Sequence, residues 1–161
     1  MFNLEKAREY FSYEPESGFF TRLKCAGSAK AGTVSCAMDT EGYIRISLDR
    51  SYIKAHTLAW YFVYGERVDG LDHINGIKSD NRICNLRIAS PAENQRNKGI
   101  QKNNKTGAKG VWYYAKIDRY VASIYVNGRR NHLGQHKTLE QAKLAYEAAA
   151  IKLHGDFARF D

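Results

Sequence analysis

Four polar side chains between residues 72 and 94 have the types and spacing that hydrolysis of a phosphodiester bond requires. A carboxylate and an imidazole are adjacent at Asp72 and His73, and amide side chains follow at Asn85 and Asn94. A hard divalent cation such as Mg²⁺ takes oxygen ligands and keeps several waters, so Asp72 and Asn94 would suffice to hold it. The metal would polarise the scissile phosphate. His73 would act as general base towards water, because the ordinary pKa of histidine, ~6.5, lies near neutrality.

The sequence around these residues indicates a small unit that brings them together. An apolar stretch that ends near Asp72 predicts a short strand, the polar loop INGIKSDN follows, and ICNLRIA predicts a partner strand. A serine before Pro91 is typical of a helix start, which would place Asn94 in the first helical turn. An isolated Asp-His pair is usually only a solvated turn. A strand, a loop, a strand and a capped helix in this order favour a catalytic pocket instead.

The segment LDHINGIKSDNRICNLRIASPAENQRNK resembles the HNH endonucleases of phages and mobile elements, which share the ββα-metal (His-Me finger) fold. The resemblance implies that His73 is the first motif histidine and general base, and that Asp72 is a metal ligand. It makes Asn85 the central asparagine of the motif, which braces the loop through backbone hydrogen bonds. Asn94 takes the third motif position.

Many members of this family carry histidine at the third position, so Asn94 makes this chain resemble the H-N-N variant. An amide oxygen favours Mg²⁺ or Mn²⁺ over zinc, and one such divalent ion is the expected cofactor. The resemblance covers about residues 10–100 and includes the earlier segments GYIRISL and KAHTLAW.

Other polar residues near the motif have two interpretations each. His56 lies on an apolar stretch, where a histidine is more often a satisfied core residue than an active-site support. Arg82, Arg87 and Arg96 would either pair with nearby carboxylates or contact phosphates, and at this density at least one is expected to reach DNA. The remaining asparagines of the region are interpreted as turn formers or solvent-facing residues, namely Asn75, Asn81 and Asn97.

The residues before the motif predict one helix at 3–11, one half-buried strand within 42–53, and a buried helix over 54–65 that ends at Gly65. The three cysteines are widely spaced and odd in number, which argues against a disulfide framework and a structural zinc site. They are interpreted as small apolar filler residues: Cys25, Cys36 and Cys84.

The carboxy-terminal third predicts three strands, at 111–117, 120–126 and 129–136, and a helix over 139–154. Asn127-Gly128 between the second and third strands is a strong hairpin signal. Thr138 and Gln141 form a capping box, and Gly155 stands at the C-cap. The helix face predicted to pack on the sheet consists of small and aliphatic residues: Leu144, Ala145, Ala148, Ala149 and Ile151.

Positive charge is concentrated around these strands. Between Gln95 and Lys137 the chain has ten lysines and arginines against one acid, Asp118, while the whole chain carries +8. Cations interleaved with aromatic residues suit a sheet laid on DNA, where they neutralise phosphates and release counterions. A solvated sheet face is the alternative. The cations are Arg96, Lys98, Lys102, Lys105, Lys109, Lys116, Arg119, Arg129, Arg130 and Lys137.

The segment from KTGAKG to KLHGDFA also resembles the APETALA2-type DNA-binding domain of plant regulators. The resemblance implies a three-stranded antiparallel sheet that enters the major groove, with the helix packed behind it. It makes five residues the expected DNA contacts of this domain: Trp112, Arg119, Tyr125, Arg129 and Arg130. The basic residues before it are expected to track the DNA backbone: Lys98, Lys102, Lys105 and Lys109.

The predicted architecture is α+β, with an HNH nuclease module over 1–98 whose ββα-metal core spans about 66–98. A basic linker over 99–109 and an APETALA2-like domain over 110–161 follow. The expected function is metal-dependent endonuclease action that nicks one strand of double-stranded DNA, in a homing or mobile-element role. Two alternatives stay open: a DNA-binding regulator with an inert HNH module, and an RNA-directed nuclease.

No secretory signal or bilayer-spanning stretch is visible, so the expected location is the cytoplasm, of the host cell if the chain is phage-encoded. The chain is expected to act as a monomer, with a dimer on DNA as the alternative. One active site per chain predicts nicking, and a double-strand break would need a second protomer.

Overall fold

The computed structural model describes residues 2–160, which form short helices and small antiparallel sheets. The chain divides into two compact units, the first ending at Pro91 and the second beginning at Ala92. Among the described residues, every helix is too short or too polar to cross a membrane.

The first unit consists of three two-stranded antiparallel sheets and two helices of its own, and a third helix starts at its carboxy-terminal limit. These elements are α1 (Leu4–Tyr10), β1 (Phe11–Glu14), β2 (Phe19–Arg22), β3 (Arg45–Leu48), β4 (Ser51–Lys54), α2 (Ala55–Tyr64), β5 (Leu71–His73), β6 (Leu86–Ile88) and α3 (Pro91–Arg96). The pairs are β1 with β2, β3 with β4, and β5 with β6.

Two of these hairpins differ from the sequence prediction. The stretch 42–53 was expected to hold one strand, but Asp49 and Arg50 both adopt positive φ and turn the chain, so β3 and β4 pair as a hairpin. The hairpin β1–β2 was not predicted at all, because its strands are only four residues long and aromatic on both faces. Helix α2 matches its prediction and ends at Gly65, whose φ is +76°.

The core of the first unit lies between α2 and the hairpins around it. Leu58 and Ala59 of α2 are fully buried, and Phe11 and Phe20 of the amino-terminal hairpin are 1% exposed. Ile46 of β3 completes the same apolar cluster. Because the cluster joins α2 to β1, β2 and β3, these elements form one rigid support for the residues that follow.

The second unit is a three-stranded antiparallel sheet with one long helix packed on it. Its elements are β7 (Val111–Tyr114), β8 (Arg119–Val126), β9 (Arg129–His136) and α4 (Leu139–His154). Asn127 and Gly128 both have positive φ in the turn between β8 and β9, as the sequence predicts. The Thr138 side chain accepts a hydrogen bond from Gln141 N, and Gly155 follows α4 as its C-cap.

The face that α4 buries matches the predicted one only in part: Ala145 and Ala149 pack against the apolar cluster beneath the helix, as predicted. Leu144 and Ile151 are 58% and 62% exposed, whereas Ala142 and Ala150 are fully buried and Tyr146 is 5% exposed. Residues 142, 146 and 150 follow a four-residue spacing that forms a single helix face. Alanine lets the helix backbone lie close to the sheet, so the small residues and not the large aliphatic ones mark the interface.

Residues 92–109 belong to the second unit, although the sequence placed 92–98 in the nuclease module and 99–109 in a linker. The Lys109 ammonium donates to the carbonyl oxygens of Arg96 (2.7 Å) and Lys98 (2.5 Å), which ties the end of α3 to the start of the sheet. Asn104 accepts hydrogen bonds from the backbone of Thr106 and Gly107. These bonds order a segment whose composition alone suggests a loose connection. All three cysteines are exposed and carry no disulfide, so they are not apolar filler residues.

Candidate active site and nucleic-acid interface

The hairpin of β5 and β6 carries Asp72 and His73 side by side in a buried position. Asp72 is 6% exposed and His73 is 4% exposed. The register places Asp72 opposite Arg87 and His73 opposite Leu86. Because side chains alternate along a strand, the two neighbouring residues project to opposite faces of the hairpin.

The carboxylate of Asp72 forms an ion pair with Arg87 across this hairpin. Its Oδ2 accepts from Nε at 2.9 Å and from Nη2 at 2.7 Å. The side chains are only 17% and 8% exposed, for Arg87 and Asp72 respectively. Pairing with a carboxylate is one of the two interpretations that the sequence left open for Arg87, and its guanidinium here orients the carboxylate of the candidate metal ligand.

The imidazole of His73 is surrounded by two rings and one amide. Its ring centroid lies 5.0 Å from that of His56, edge to face, and 5.9 Å from that of Tyr43. Nε2 of His73 lies 3.5 Å from Oδ1 of Asn81. Burial lowers the pKa of His73, so the imidazole is neutral near pH 7 and able to accept a proton.

His56 on α2 is buried, as expected, but it is not a satisfied core histidine. Its Nδ1 is buried and finds no hydrogen-bond partner among residues 2–160. Burial lowers its pKa to about 3, with the neighbouring His73 as a second cause, so His56 is neutral. Its ring contacts both Tyr43 and His73. The structure therefore brings His56 to the candidate site.

Asn85 holds the loop between β5 and β6 in a closed shape. Its Nδ2 donates to the Asp80 carbonyl at 2.8 Å and to Oδ1 of Asn75 at 3.0 Å, and its Oδ1 accepts from the Asn75 backbone N–H at 3.0 Å. Asn75 in turn donates to the Asp80 carboxylate at 2.7 Å. Asn85 therefore spans the loop, in the manner of a brace.

Arg82 pairs with Asp80 at 2.6 Å, one of the two interpretations that the sequence left open. The guanidinium holds the pKa of Asp80 at about 2. The Arg82 side chain is 46% exposed, so the pair is screened by water and contributes little to stability. Arg82 remains at the surface, where it is accessible to a polyanion.

Asn94 lies in helix α3, which begins at Pro91 and is six residues long. Arg96 is in the last turn of the same helix, and its carbonyl is one of the two that Lys109 binds. Asn94 and Arg96 both belong to the second compact unit, whereas Asp72 and His73 belong to the first.

Two lysines that the sequence analysis did not single out lie on Tyr43, beside His73. Their Nζ atoms are 3.8 Å (Lys54) and 4.6 Å (Lys78) from the Tyr43 ring centroid. Lys54 also pairs with the Glu41 carboxylate at 3.0 Å, and Lys78 donates to the Glu41 carbonyl at 2.8 Å. These contacts place positive charge next to the candidate base. No sequence motif predicts the position of these two lysines.

The two metal ligands expected from the sequence have side chains that suit a hard divalent ion. Asp72 carries carboxylate oxygens and Asn94 an amide oxygen, the ligand types that Mg²⁺ and Mn²⁺ prefer. Within residues 2–160, histidine, cysteine and acidic side chains nowhere assemble in groups of three or more. The oxygen donors of Asp72 and Asn94 fit an ion that keeps several waters.

The second unit presents aromatic and cationic residues on the sheet face away from α4. Tyr125 pairs with Arg130 across β8 and β9, so the two share a face. The Arg130 guanidinium lies 4.7 Å from the Trp112 ring and 5.7 Å from the Tyr125 ring, which adds Trp112 to this face. Arg129 pairs instead with Val126, which packs against the apolar cluster beneath α4.

The other expected DNA contacts of this unit lie at its surface. Arg119 is half-buried at the start of β8, where its Nη1 donates to the Asp118 carbonyl. Lys109 is half-buried and engaged with the end of α3. The remaining three lysines are exposed: Lys98, Lys102 and Lys105.

Two segments of the chain match family models of known proteins. Residues 54–96 match the family model described as HNH endonuclease, and residues 106–156 match the AP2 domain. Both resemblances proposed from the sequence are thereby confirmed. No solved structure matches the chain.

Two curated proteins are similar over most of the chain. Protein 3.8 of Escherichia phage T7 is 29% identical over 109 residues, which are 66% of this chain and 89% of the phage protein. An uncharacterized HNH endonuclease, L560, of Acanthamoeba polyphaga mimivirus is 30% identical over 116 residues, which are 70% of this chain. The matched region spans 59% of the mimivirus protein.

Proposed function

This chain joins an HNH endonuclease segment to an AP2 domain, and on that premise we propose that it is a metal-dependent DNA endonuclease. It hydrolyses phosphodiester bonds in double-stranded DNA and nicks one strand, in a homing or mobile-element role within the host cell cytoplasm. The observation that carries the proposal is the buried pair Asp72 and His73 on a hairpin whose loop is closed by Asn85. Residues of these types in this arrangement serve the hydrolysis of a phosphodiester.

His73 is the general base in this proposal. Because its burial keeps the imidazole neutral near pH 7, it can take the proton of the attacking water. The contacts with His56 and Tyr43 limit the orientations that the imidazole can adopt. Lys54 and Lys78 supply positive charge that attracts the phosphate backbone to the base.

Asp72 and Asn94 would hold the divalent ion, Mg²⁺ or Mn²⁺. Such an ion, when bound, polarises the scissile phosphate and stabilises the leaving oxygen. Arg87 fixes the Asp72 carboxylate and offsets its charge until a cation binds. The proposed ββα-metal core spans about 66–98 and contains β5, β6 and α3.

The AP2 domain, proposed to extend over 110–161 after the basic segment 99–109, binds the duplex through one face of its sheet. Trp112, Tyr125 and Arg130 share this face. Cations on this face and elsewhere in the chain contact phosphates, which positions the chain without reading sequence. The proposed phosphate contacts are Arg82, Arg96, Lys98, Lys102, Lys105, Arg119 and Arg130, with Arg129 on the opposite face of the sheet as a weaker contact.

The proposal is tested by conversion of supercoiled plasmid to open circles in the presence of Mg²⁺ or Mn²⁺. We expect nicking by a monomer, and we expect His73→Ala to lower the rate by about 10²–10⁴-fold with DNA binding retained. If the purified chain binds duplex DNA but nicks it with neither metal, it is a DNA-binding regulator with an inert nuclease module. If single-stranded RNA competes best for binding, the RNA-directed nuclease is correct instead.

A further inference from the structure

The amino-terminal hairpin, defined here as residues 11–22 with strands β1 and β2, precedes the segment that matches the HNH endonucleases. It sits on α2 through aromatic contacts. The ring of Tyr13 lies 4.8 Å from that of Phe20, and Phe20 lies 5.4 Å, edge to face, from Phe62 of α2. Because Phe20 is 1% exposed, the hairpin is anchored in the core of the first unit.

This hairpin also contacts the loop between β5 and β6, through two hydrogen bonds and one close backbone approach. The Tyr13 hydroxyl donates to the Asn81 carbonyl at 2.7 Å, and the Ile83 backbone N–H donates to the Pro15 carbonyl at 3.2 Å. The backbone of Gly18 lies directly against the loop. A Cβ at Gly18 would come within 2.5 Å of Arg82 N and 2.6 Å of the Asn81 carbonyl carbon. The loop therefore has no room to move towards the hairpin.

These contacts fix the backbone at Asn81, a residue that is only 1% exposed. Its Nδ2 donates to the Ser79 carbonyl at 3.1 Å, which turns Oδ1 towards His73. Oδ1 then lies 3.5 Å from His73 Nε2, a long contact of the kind that shortens when substrate binds. A carbonyl oxygen can only accept, so Nε2 must carry the proton and the Nδ1 lone pair must accept one.

We propose that Asn81 is a positioning residue for His73, and that the amino-terminal hairpin holds Asn81 in place. The inference rests on the proposed role of His73 as general base. Asn81 fixes the Nε2–H tautomer and the ring orientation, so that Nδ1 receives the proton of the attacking water. The hairpin restricts the movement of the loop that carries Asn81.

The first test compares Asn81→Ala with Asn81→Asp in the full chain. Asn81→Ala removes the acceptor, and we expect kcat for plasmid nicking to fall about 10²-fold while KM changes less than about threefold. Asn81→Asp keeps an oxygen near the same position and should recover at least about tenfold of the loss in kcat. An unchanged kcat, equal loss in both variants, or a rise in KM alone would overturn the proposal.

The second test uses two glycines that both adopt positive φ, +74° at Gly18 and +59° at Gly27. Alanine carries similar backbone strain at both positions, but nothing lies within 4 Å of a Cβ at Gly27. We expect Gly18→Ala to lower kcat at least about tenfold more than Gly27→Ala, because only the former pushes the Asn81 backbone away. Tyr13→Phe keeps the ring packing, removes the hydroxyl donor, and should lower kcat about threefold to tenfold. Equal activity of all three variants would contradict the role of the hairpin.

A third measurement separates this inference from the proposed function. The ¹⁵N chemical shifts of the His73 ring, recorded above neutral pH without metal or DNA, distinguish the two tautomers. We expect the Nε2–H form in the wild type and in Asn81→Asp, and a mixture in Asn81→Ala and Gly18→Ala. If the chemical shifts follow this pattern but neither the wild type nor any variant nicks DNA, the proposed function is wrong and the positioning role of Asn81 is still supported. If Asn81→Ala keeps the wild-type tautomer, the positioning fails whatever the activity.

Discussion

The ion pair of Asp72 with Arg87 affects the stability of the fold as well as the candidate metal ligand. A buried carboxylate needs a positive partner, because low solvent exposure leaves its charge unscreened. In the absence of metal, Arg87 is such a partner. A bound divalent ion would also supply positive charge, so the two cations would compete for, or share, the same carboxylate.

Replacing Arg87 therefore gives a prediction that stability measurements can check. Arg87→Met should lower the free energy of unfolding by about 3–5 kcal/mol, because it removes the guanidinium that pairs with the buried Asp72 carboxylate. Added Mg²⁺ should raise the Tm of this variant more than that of the wild type, since the metal replaces the lost charge. Arg82→Met is the matched control, because its half-exposed pair with Asp80 contributes at most ~1 kcal/mol. An equal response of both variants to Mg²⁺ would count against Asp72 as a ligand.

His56 gives a pH dependence of stability whose sign follows from its lowered pKa. The folded-state pKa is about 3, while the unfolded chain has the ordinary histidine value of ~6.5. The unfolded state therefore binds a proton first as the pH falls, and stability is lost between about pH 6.5 and pH 3. When the pH is lowered from 7 to 5, the free energy of unfolding should fall by ~2 kcal/mol less in His56→Gln than in the wild type. Urea unfolding at the two pH values measures this difference, and identical losses would show that His56 is not held neutral.

The sequence allowed the residue types of the site to be predicted, but not their contacts. Asp72, His73, Asn85 and Asn94 are recognisable because their spacing within one segment is local information. The partners of His73 are not recognisable in this way. Tyr43 precedes β3 and His56 lies on α2, so only tertiary packing brings their rings to His73. Asn81 has the composition of an ordinary turn residue, and its burial depends on a hairpin at the far end of the unit.

At the scale of elements, strand β9 separates two arginines that the sequence analysis treated as equivalent. Arg129 and Arg130 are adjacent, and neighbouring side chains on a strand point to opposite faces. Arg130 shares its face with Tyr125 and Trp112, whereas Arg129 lies opposite Val126. The Asn127-Gly128 turn sets the strand register that creates this difference. The sequence predicted the turn, but it did not show which face of the sheet each arginine occupies.

This geometry predicts unequal effects of two matched substitutions on DNA binding. Arg130→Ala should weaken duplex binding roughly tenfold and reduce the salt dependence of binding by about one phosphate contact. Arg129→Ala should weaken binding by less than about threefold, because its side chain leaves the opposite face of the sheet. Fluorescence anisotropy over a series of KCl concentrations compares the two variants. A larger loss for Arg129→Ala would mean that the other face of the sheet meets the DNA.

Helix α4 shows why a helix could be located from sequence while its buried face could not. Its caps at Thr138 and Gly155 are local signals and were correctly assigned. The predicted face was correct for Ala145 and Ala149, which pack against the apolar cluster, but it was rotated towards Leu144, Ala148 and Ile151, which are exposed. The sheet beneath it admits a close backbone approach, so Ala142 and Ala150 are fully buried while Leu144 stays exposed. Shape complementarity with another element decides such a case, and hydrophobicity alone does not.

For the whole molecule, charge and chemistry are divided between the two units. The buried Asp72 and His73 lie in the first unit, and most of the excess cations lie between residues 95 and 137 of the second. DNA affinity should therefore depend on salt, and hydrolysis on metal, as two separable properties. A single protein with one mixed site would lose both properties together.

This division predicts distinct responses of the full chain to chelator and to salt. EDTA should abolish plasmid nicking and leave duplex binding within about twofold of its original affinity, because phosphate contacts by lysine and arginine need no metal. If about six cations contact phosphates, binding should weaken on the order of 10³-fold between 50 and 200 mM salt. At saturating protein the nicking rate should change far less over the same range, because the affinity for DNA then no longer limits the rate. Loss of DNA binding in EDTA would show instead that the metal belongs to the binding surface, and the separation of roles between the units would be wrong.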